Sequence, residues 1–194
     1  MPTRAKKLID AIQPEIEEKT RQTLEQIRQQ YEAERAAIHQ SFRKAFEDGL
    51  EAVAAAMPEK GKIVSLHVSY LLSSLLVGKY EFRIDFYNSN LYRDNLETAC
   101  YWRAEFLAPF FKEDLPYFEK LIREKDVRVK KYEIKDLVLD FGAVYYTAFA
   151  SYLPALFSSL PLTEYESFFT DNVEIMYGGF QDNNIPIDIL YRND

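Results

Sequence analysis

The chain has 194 residues, 47% of them hydrophobic and only six glycine, with 14 tyrosines, 14 phenylalanines and one tryptophan; this excludes a disordered or fibrous protein and supports one sizeable core. Its 24 basic and 31 acidic residues leave a formal charge of -7, which repels phosphate backbones and anionic lipid, so neither nucleic acid nor a membrane surface is an expected partner. The single cysteine, Cys100, has no intrachain disulfide partner, and the opening MPTRAKKLIDAIQ lacks the apolar stretch of a signal peptide; together they point to a reducing, cytoplasmic setting.

Residues 15–57 read as one long helix. Pro14 suits a first helical turn, and Glu15, Glu17 and Glu18 complement the positive end of the helix dipole. Apolar or small residues recur at Ile16, Thr20, Leu24, Ile27, Tyr31, Ile38, Phe42, Phe46, Leu50, Val53 and Met57, in steps of about 3.7 residues with one break at Glu34 and Arg35. At 1.5 Å per residue the element reaches roughly 65 Å, longer than the domain that follows. Its stripe is therefore expected to be covered by a second copy or another protein, which makes Ile16, Leu24, Ile27, Tyr31, Ile38 and Phe42 the candidate partner-binding residues. A helical hairpin folded back at Glu34 and Arg35 is the alternative. Residues 3–13 are expected to form a short separate helix, and Pro58 to Gly61 ends the run. Residues 1–57 are thus a coiled-coil-like segment, and residues 58–194 a separate globular domain.

Ile63 to Val77 is apolar and bounded by Lys62 and Gly78, and is expected to be a core helix. Tyr80 to Tyr87 alternates Phe82, Ile84 and Phe86 with Glu81, Arg83 and Asp85, the period of a strand with one buried face. Turn residues around Asn88 to Asn95 lead to a returning strand over Thr98 to Phe106. Helices are expected at 113–125 and 134–160, the second buried and bent at Pro154; its acidic flanks oppose a membrane span. Val173 to Phe180 and Ile185 to Tyr191 form a second hairpin, with a bulge or close approach at Gly178 and Gly179. The fold class is α+β: a long N-terminal amphipathic helix, then a small antiparallel sheet of about four strands packed with helices.

Chemistry-bearing residues are scarce. The two histidines, His39 and His67, are distant in sequence from Cys100, so no metal site is expected, and the absence of nucleotide-binding glycine motifs implies no cofactor. His67 is expected to be a core histidine. The row Glu81, Arg83 and Asp85, with Arg93 and Asp94 just beyond, is the best candidate for a polar ligand, joined by His67; left open to water it is merely a solvated sheet face. Basic residues crowd between Lys120 and Lys135, whereas residues 136–194 hold nine acids against Arg192 alone, and the basic helix end is expected to lie near that acidic segment.

The leading functional expectation is a non-enzymatic interaction or assembly protein that self-associates or binds a partner through helix 15–57. Within that class falls an acidic inhibitor or immunity-type protein, using residues 164–188 to mask a basic partner. The second expectation is a small-ligand-binding domain, or a metal-independent enzyme, working through Glu81, Arg83, Asp85, Arg93 and His67.

Overall fold

The computed structural model describes residues 4–126, 128–180 and 184–191. Helix α1 (Arg4–Lys60) runs unbroken for 57 residues, roughly 85 Å at 1.5 Å per residue. Pro14 lies inside it, so residues 4–13 continue the same helix rather than forming a separate one. An internal proline costs about 3 kcal/mol, while burying Leu8, Ile12 and Ile16 on the same stripe offsets this at roughly 1.5–3 kcal/mol per side chain. The helix stops where Gly61 adopts φ of 73° and its N–H reaches the Met57 carbonyl at 3.0 Å, a glycine cap.

Strand β1 (Ile63–Tyr70), the short helix α2 (Leu72–Leu76), strand β2 (Glu81–Tyr87) and strand β3 (Ala99–Arg103) come next. Helices α3 (Ala108–Lys125), α4 (Lys131–Phe149) and α5 (Leu153–Ser158) then lead to strands β4 (Phe169–Gly179) and β5 (Asn184–Tyr191). The sheet has five strands in the order β3-β2-β1-β4-β5, antiparallel except for the β1–β4 pair. The fold is α+β with both expected hairpins, and the sheet is mixed rather than wholly antiparallel.

The expected core helix over 63–77 is corrected: its first eight residues form the central strand β1. Leu66 and Val68 face the helices, and Ser65, His67 and Ser69 share the other face with their β2 partners Tyr87, Asp85 and Arg83. Helix 134–160 is also divided, since α4 gives way to a 3-10 turn at Ala150–Tyr152 before α5 restarts beside Pro154. No register shift falls at Gly178 or Gly179; the shift lies between Ile175 and Met176, opposite Asp188 and Pro186 of the edge strand β5, a position that tolerates a proline.

The stripe on α1 is covered from end to end within the chain. Ile16, Ile27, Tyr31, Ile38 and Phe42 are all 5% exposed or less, and Leu24 is half-buried. The seam expected to need a second chain is therefore already closed, without any hairpin at Glu34 and Arg35. The reason is an elongated body: α3 and α4 lie along the first half of α1, and the sheet lies along the second. Tyr152 packs on Tyr31 in a tilted arrangement, 4.3 Å between ring centroids, while Trp102 and Phe157 meet Phe42 edge-on at 5.2 and 5.3 Å. Residues 1–57 and 58–194 share one hydrophobic cluster running from Leu8 to Tyr177. At the helical end, Asp114 of α3 is 1% exposed and accepts hydrogen bonds from Thr23 of α1 (2.6 Å) and Tyr145 of α4, with Lys19 Nζ at 2.9 Å. This ties three helices through one carboxylate.

The acidic last third divides between α4, which packs on α3 and carries Asp136 and Asp140 just after the basic run, and the segment beyond α5. Lys125 pairs with Glu15 at 3.0 Å, whereas Tyr165, in the acidic third, donates to Glu47 at 3.3 Å; those two α1 residues are about 48 Å apart along the helix.

Candidate functional site

The sheet separates two environments. Phe82, Ile84 and Phe86 of β2 point into the core, where Phe86 meets Phe46 of α1 and Phe82 meets Phe149 of α4. Glu81, Arg83, Asp85 and Tyr87 alternate onto the opposite face. Across the register they sit beside Ser65, His67 and Ser69 of β1, Ala99, Tyr101 and Arg103 of β3, and, next to β1, Glu174, Met176 and Gly178 of β4. Polar side chains thus run across the middle of the sheet on the face away from α1.

Part of this face is roofed by residues 88–98, which cross it as a strap. The strap is fastened to the last residue of α1: Lys60 Nζ donates to Asp94 and to the Leu96 carbonyl (2.6 Å), and the Lys60 carbonyl accepts from Asn88 Nδ2 at 2.9 Å. Both ionic side chains are buried, at 1% and 5% exposure, so removing one strands the other in a low-dielectric setting. At the strap's crest Leu91 has φ of 50°, a left-handed conformation disfavoured for a leucine. Beside it the Tyr92 hydroxyl lies 3.1 Å from His67 Nδ1 and accepts from Asn184 Nδ2 of β5 at 3.0 Å.

Under the strap is a cleft of about 210 Å³, lined by Lys60, Arg83, Asp85, Tyr87, Tyr92, Asp94, Glu97, Thr98 and Phe180 among others. Larger, shallower grooves near Tyr117 and Pro116 on the helices lack its enclosed charges. Arg83 is the centre of the cleft. Its Nε and one Nη donate to Asp85 Oδ1 at 2.8 and 2.6 Å, the same Nη reaches Glu97, and the other donates to the Tyr101 hydroxyl at 3.2 Å. The Phe180 ring stacks over the guanidinium at 4.7 Å. The two acids differ sharply: the Asp85 side chain is 3% exposed and that of Glu97 is 71% exposed.

The titrations follow from this burial. Desolvation works against the Arg83 charge, but the bonds to Asp85 and Glu97 outweigh it and hold the guanidinium above its ordinary value. Burial pushes the Asp85 carboxyl up against the opposing pull of Arg83, while the Arg83 hydrogen bond lowers Glu97. Burial also pushes the Tyr87 phenol up to about 12 and His67 down to about 4. His67 is therefore an uncharged hydrogen-bonding group near neutrality, and a poor proton acceptor for general-base work.

Of the five sequence-derived ligand candidates, the fold brings Arg83 and Asp85 into the cleft. His67 stands behind Tyr92, at the cleft's edge. Glu81 turns to Arg103 at 3.2 Å, away from it, and Arg93 is exposed on the strap outside the lining. The partner-binding candidates on α1 are in the core on the other side of the sheet. Sequence reasoning missed Lys60, Glu97 and Phe180; they lie 23 residues before, 14 after and 97 after Arg83, and no local spacing joins them. Among the described residues no helix is long and apolar enough to cross a membrane. Comparison of the chain with protein-family models, curated proteins and solved structures finds no match.

Proposed function

We propose that the protein is a binding domain for a small polar molecule, which it holds in the cleft between the open sheet face and the strap. The observation that carries this reading is Arg83, an 11% exposed guanidinium fixed from behind by a buried acid and from above by an aromatic ring. Such an arrangement holds a charged fork at a fixed angle, which a merely solvated surface arginine does not need. The cleft's volume of about 210 Å³ is below the ~300–1,000 Å³ of drug-sized sites, so the occupant is metabolite-sized. The test is a thermal-shift screen of the full chain against a broad panel of small polar metabolites. A ligand that raises Tm for the wild type and fails to do so for Arg83→Ala, while Arg93→Ala still responds, supports the reading; no stabilising ligand in the panel overturns it.

A second reading, the non-enzymatic interaction protein, now draws on a different surface from the α1 stripe. Tyr92, Tyr101 and Phe180 are exposed at 60%, 55% and 38% on the strap, on β3 and just beyond β4, around this same face, and tyrosine beside arginine is a common composition for a protein-docking centre. In that case Tyr101→Ala weakens capture of a partner protein without altering any small-molecule response.

A further inference from the structure

We propose that the cleft takes a small monocarboxylate with a flat apolar body, and that Glu97 is the chain's own occupant of the anion position, displaced when the ligand binds. This rests on the cleft being a ligand site. The two acids on Arg83 are unequal. Asp85, 3% exposed, is bonded through the guanidinium Nε and one Nη and cannot leave without stranding a buried charge. Glu97 holds the outer side of the same fork from the strap, and its side chain is 71% exposed. Released, the Glu97 carboxylate is well solvated and Asp85 still pairs the half-sheltered Arg83, so Glu97 swings into water at modest cost. What it vacates is one guanidinium N–H at the mouth of an existing cleft.

Charge decides the class of ligand. Arg83 and Asp85 neutralise each other, as do Lys60 and Asp94, so Glu97 leaves the lining with one net negative charge. Exchanging Glu97 for a monocarboxylate keeps that balance. A phosphate dianion instead places a second negative charge against Asp85 and Asp94, with no additional cation among the lining residues to meet it. The walls decide the body. Phe180 stacks on the guanidinium at 4.7 Å, and Tyr87 and Tyr92 meet edge-on at 5.2 Å. A planar ring continues this aromatic lining, with its carboxylate on the Arg83 fork.

The experiment is isothermal titration of the full chain, as wild type, Glu97→Ala and Glu97→Gln, with benzoate, benzamide and inorganic phosphate. Benzoate is expected to bind all three forms, and both variants about three- to five-fold more tightly than the wild type, the scale of losing a competing carboxylate that is itself solvent-exposed. Benzamide and phosphate are expected to bind at least ten-fold more weakly than benzoate. Benzoate affinity equal or lower in both variants overturns the displacement role of Glu97, and phosphate matching benzoate overturns the monocarboxylate assignment. If benzoate fails with every form while another molecule of the metabolite panel stabilises the wild type, this inference falls and the ligand-binding reading stands; if nothing in the panel binds, both fall.

Discussion

The Tyr92 hydroxyl lies 3.1 Å from His67 Nδ1, so the crest of the strap rests on a histidine that burial keeps uncharged. Folding holds the His67 pKa at about 4, against roughly 6.5 for an exposed histidine. Between those values the unfolded chain takes up a proton that the folded chain refuses. The His67 contribution is complete above about pH 6.5, shrinks as the pH falls through this window and is gone below about pH 4, an amplitude of up to about 3 kcal/mol. Urea unfolding of the wild type and of His67→Gln from pH 4 to 7 checks it: the variant is expected to show a shallower rise of stability with pH. Parallel curves would show that His67 titrates normally in the fold.

At Gly49, α1 packs directly against β2 and β3. A Cβ added there falls 2.6 Å from the Phe86 ring and 2.9 Å from Cys100 Sγ. Glycine to alanine inside a helix ordinarily stabilises by roughly 0.5–1 kcal/mol, but here the overpacking is expected to reverse the sign, for a net loss of about 1–3 kcal/mol. A higher Tm for Gly49→Ala would show that α1 sits further from β2 and β3 than described.

Asp114→Ala removes the shared acceptor of Thr23, Tyr145 and Lys19. Leaving these groups unmatched between three helices is expected to cost about 3–5 kcal/mol, a fall in Tm of roughly 10 °C for a chain of this size. A loss below about 1 kcal/mol would mean that water reaches the cluster.

Cys100 is 7% exposed, and burial pushes its thiol up to about 12. It is expected to resist a thiol-specific reagent at pH 8 in native buffer and to react fully once denaturant is added. Rapid labelling of the native chain would place β3 in a more open environment.

Much of the fold is legible in the residues, and the exceptions have physical causes. Phe82, Ile84 and Phe86 against Arg83 and Asp85 mark β2 because one face is apolar and the other charged. In β1 the same alternation exists, Leu66 and Val68 against Ser65, His67 and Ser69, but small uncharged side chains make the polar face faint, and the whole stretch to Val77 reads as one apolar helix. The helical stretch 15–57 was readable from its stripe, but not its extension through Pro14 to Arg4; its partners were not readable either, since Tyr152 and Phe157 lie more than a hundred residues on from Tyr31 and Phe42. Arg83 and Asp85 were visible as a pair, whereas Glu97 joins them only through the strap and Phe180 only through the β1–β4 pairing.

Everything proposed for the open face depends on α1 being interior scaffold, with its stripe already covered by the rest of the chain. The direct measurement is circular dichroism and amide NMR on residues 58–194 alone. Without α1, Phe86, Trp102 and Phe157 lose the aromatic partners Phe42 and Phe46, and the fragment is expected to show no cooperative melting and poorly dispersed amides. A fragment that melts cooperatively with native-like dispersion would make α1 a separable arm, and would return the search for function to Ile16, Leu24, Ile27, Tyr31, Ile38 and Phe42.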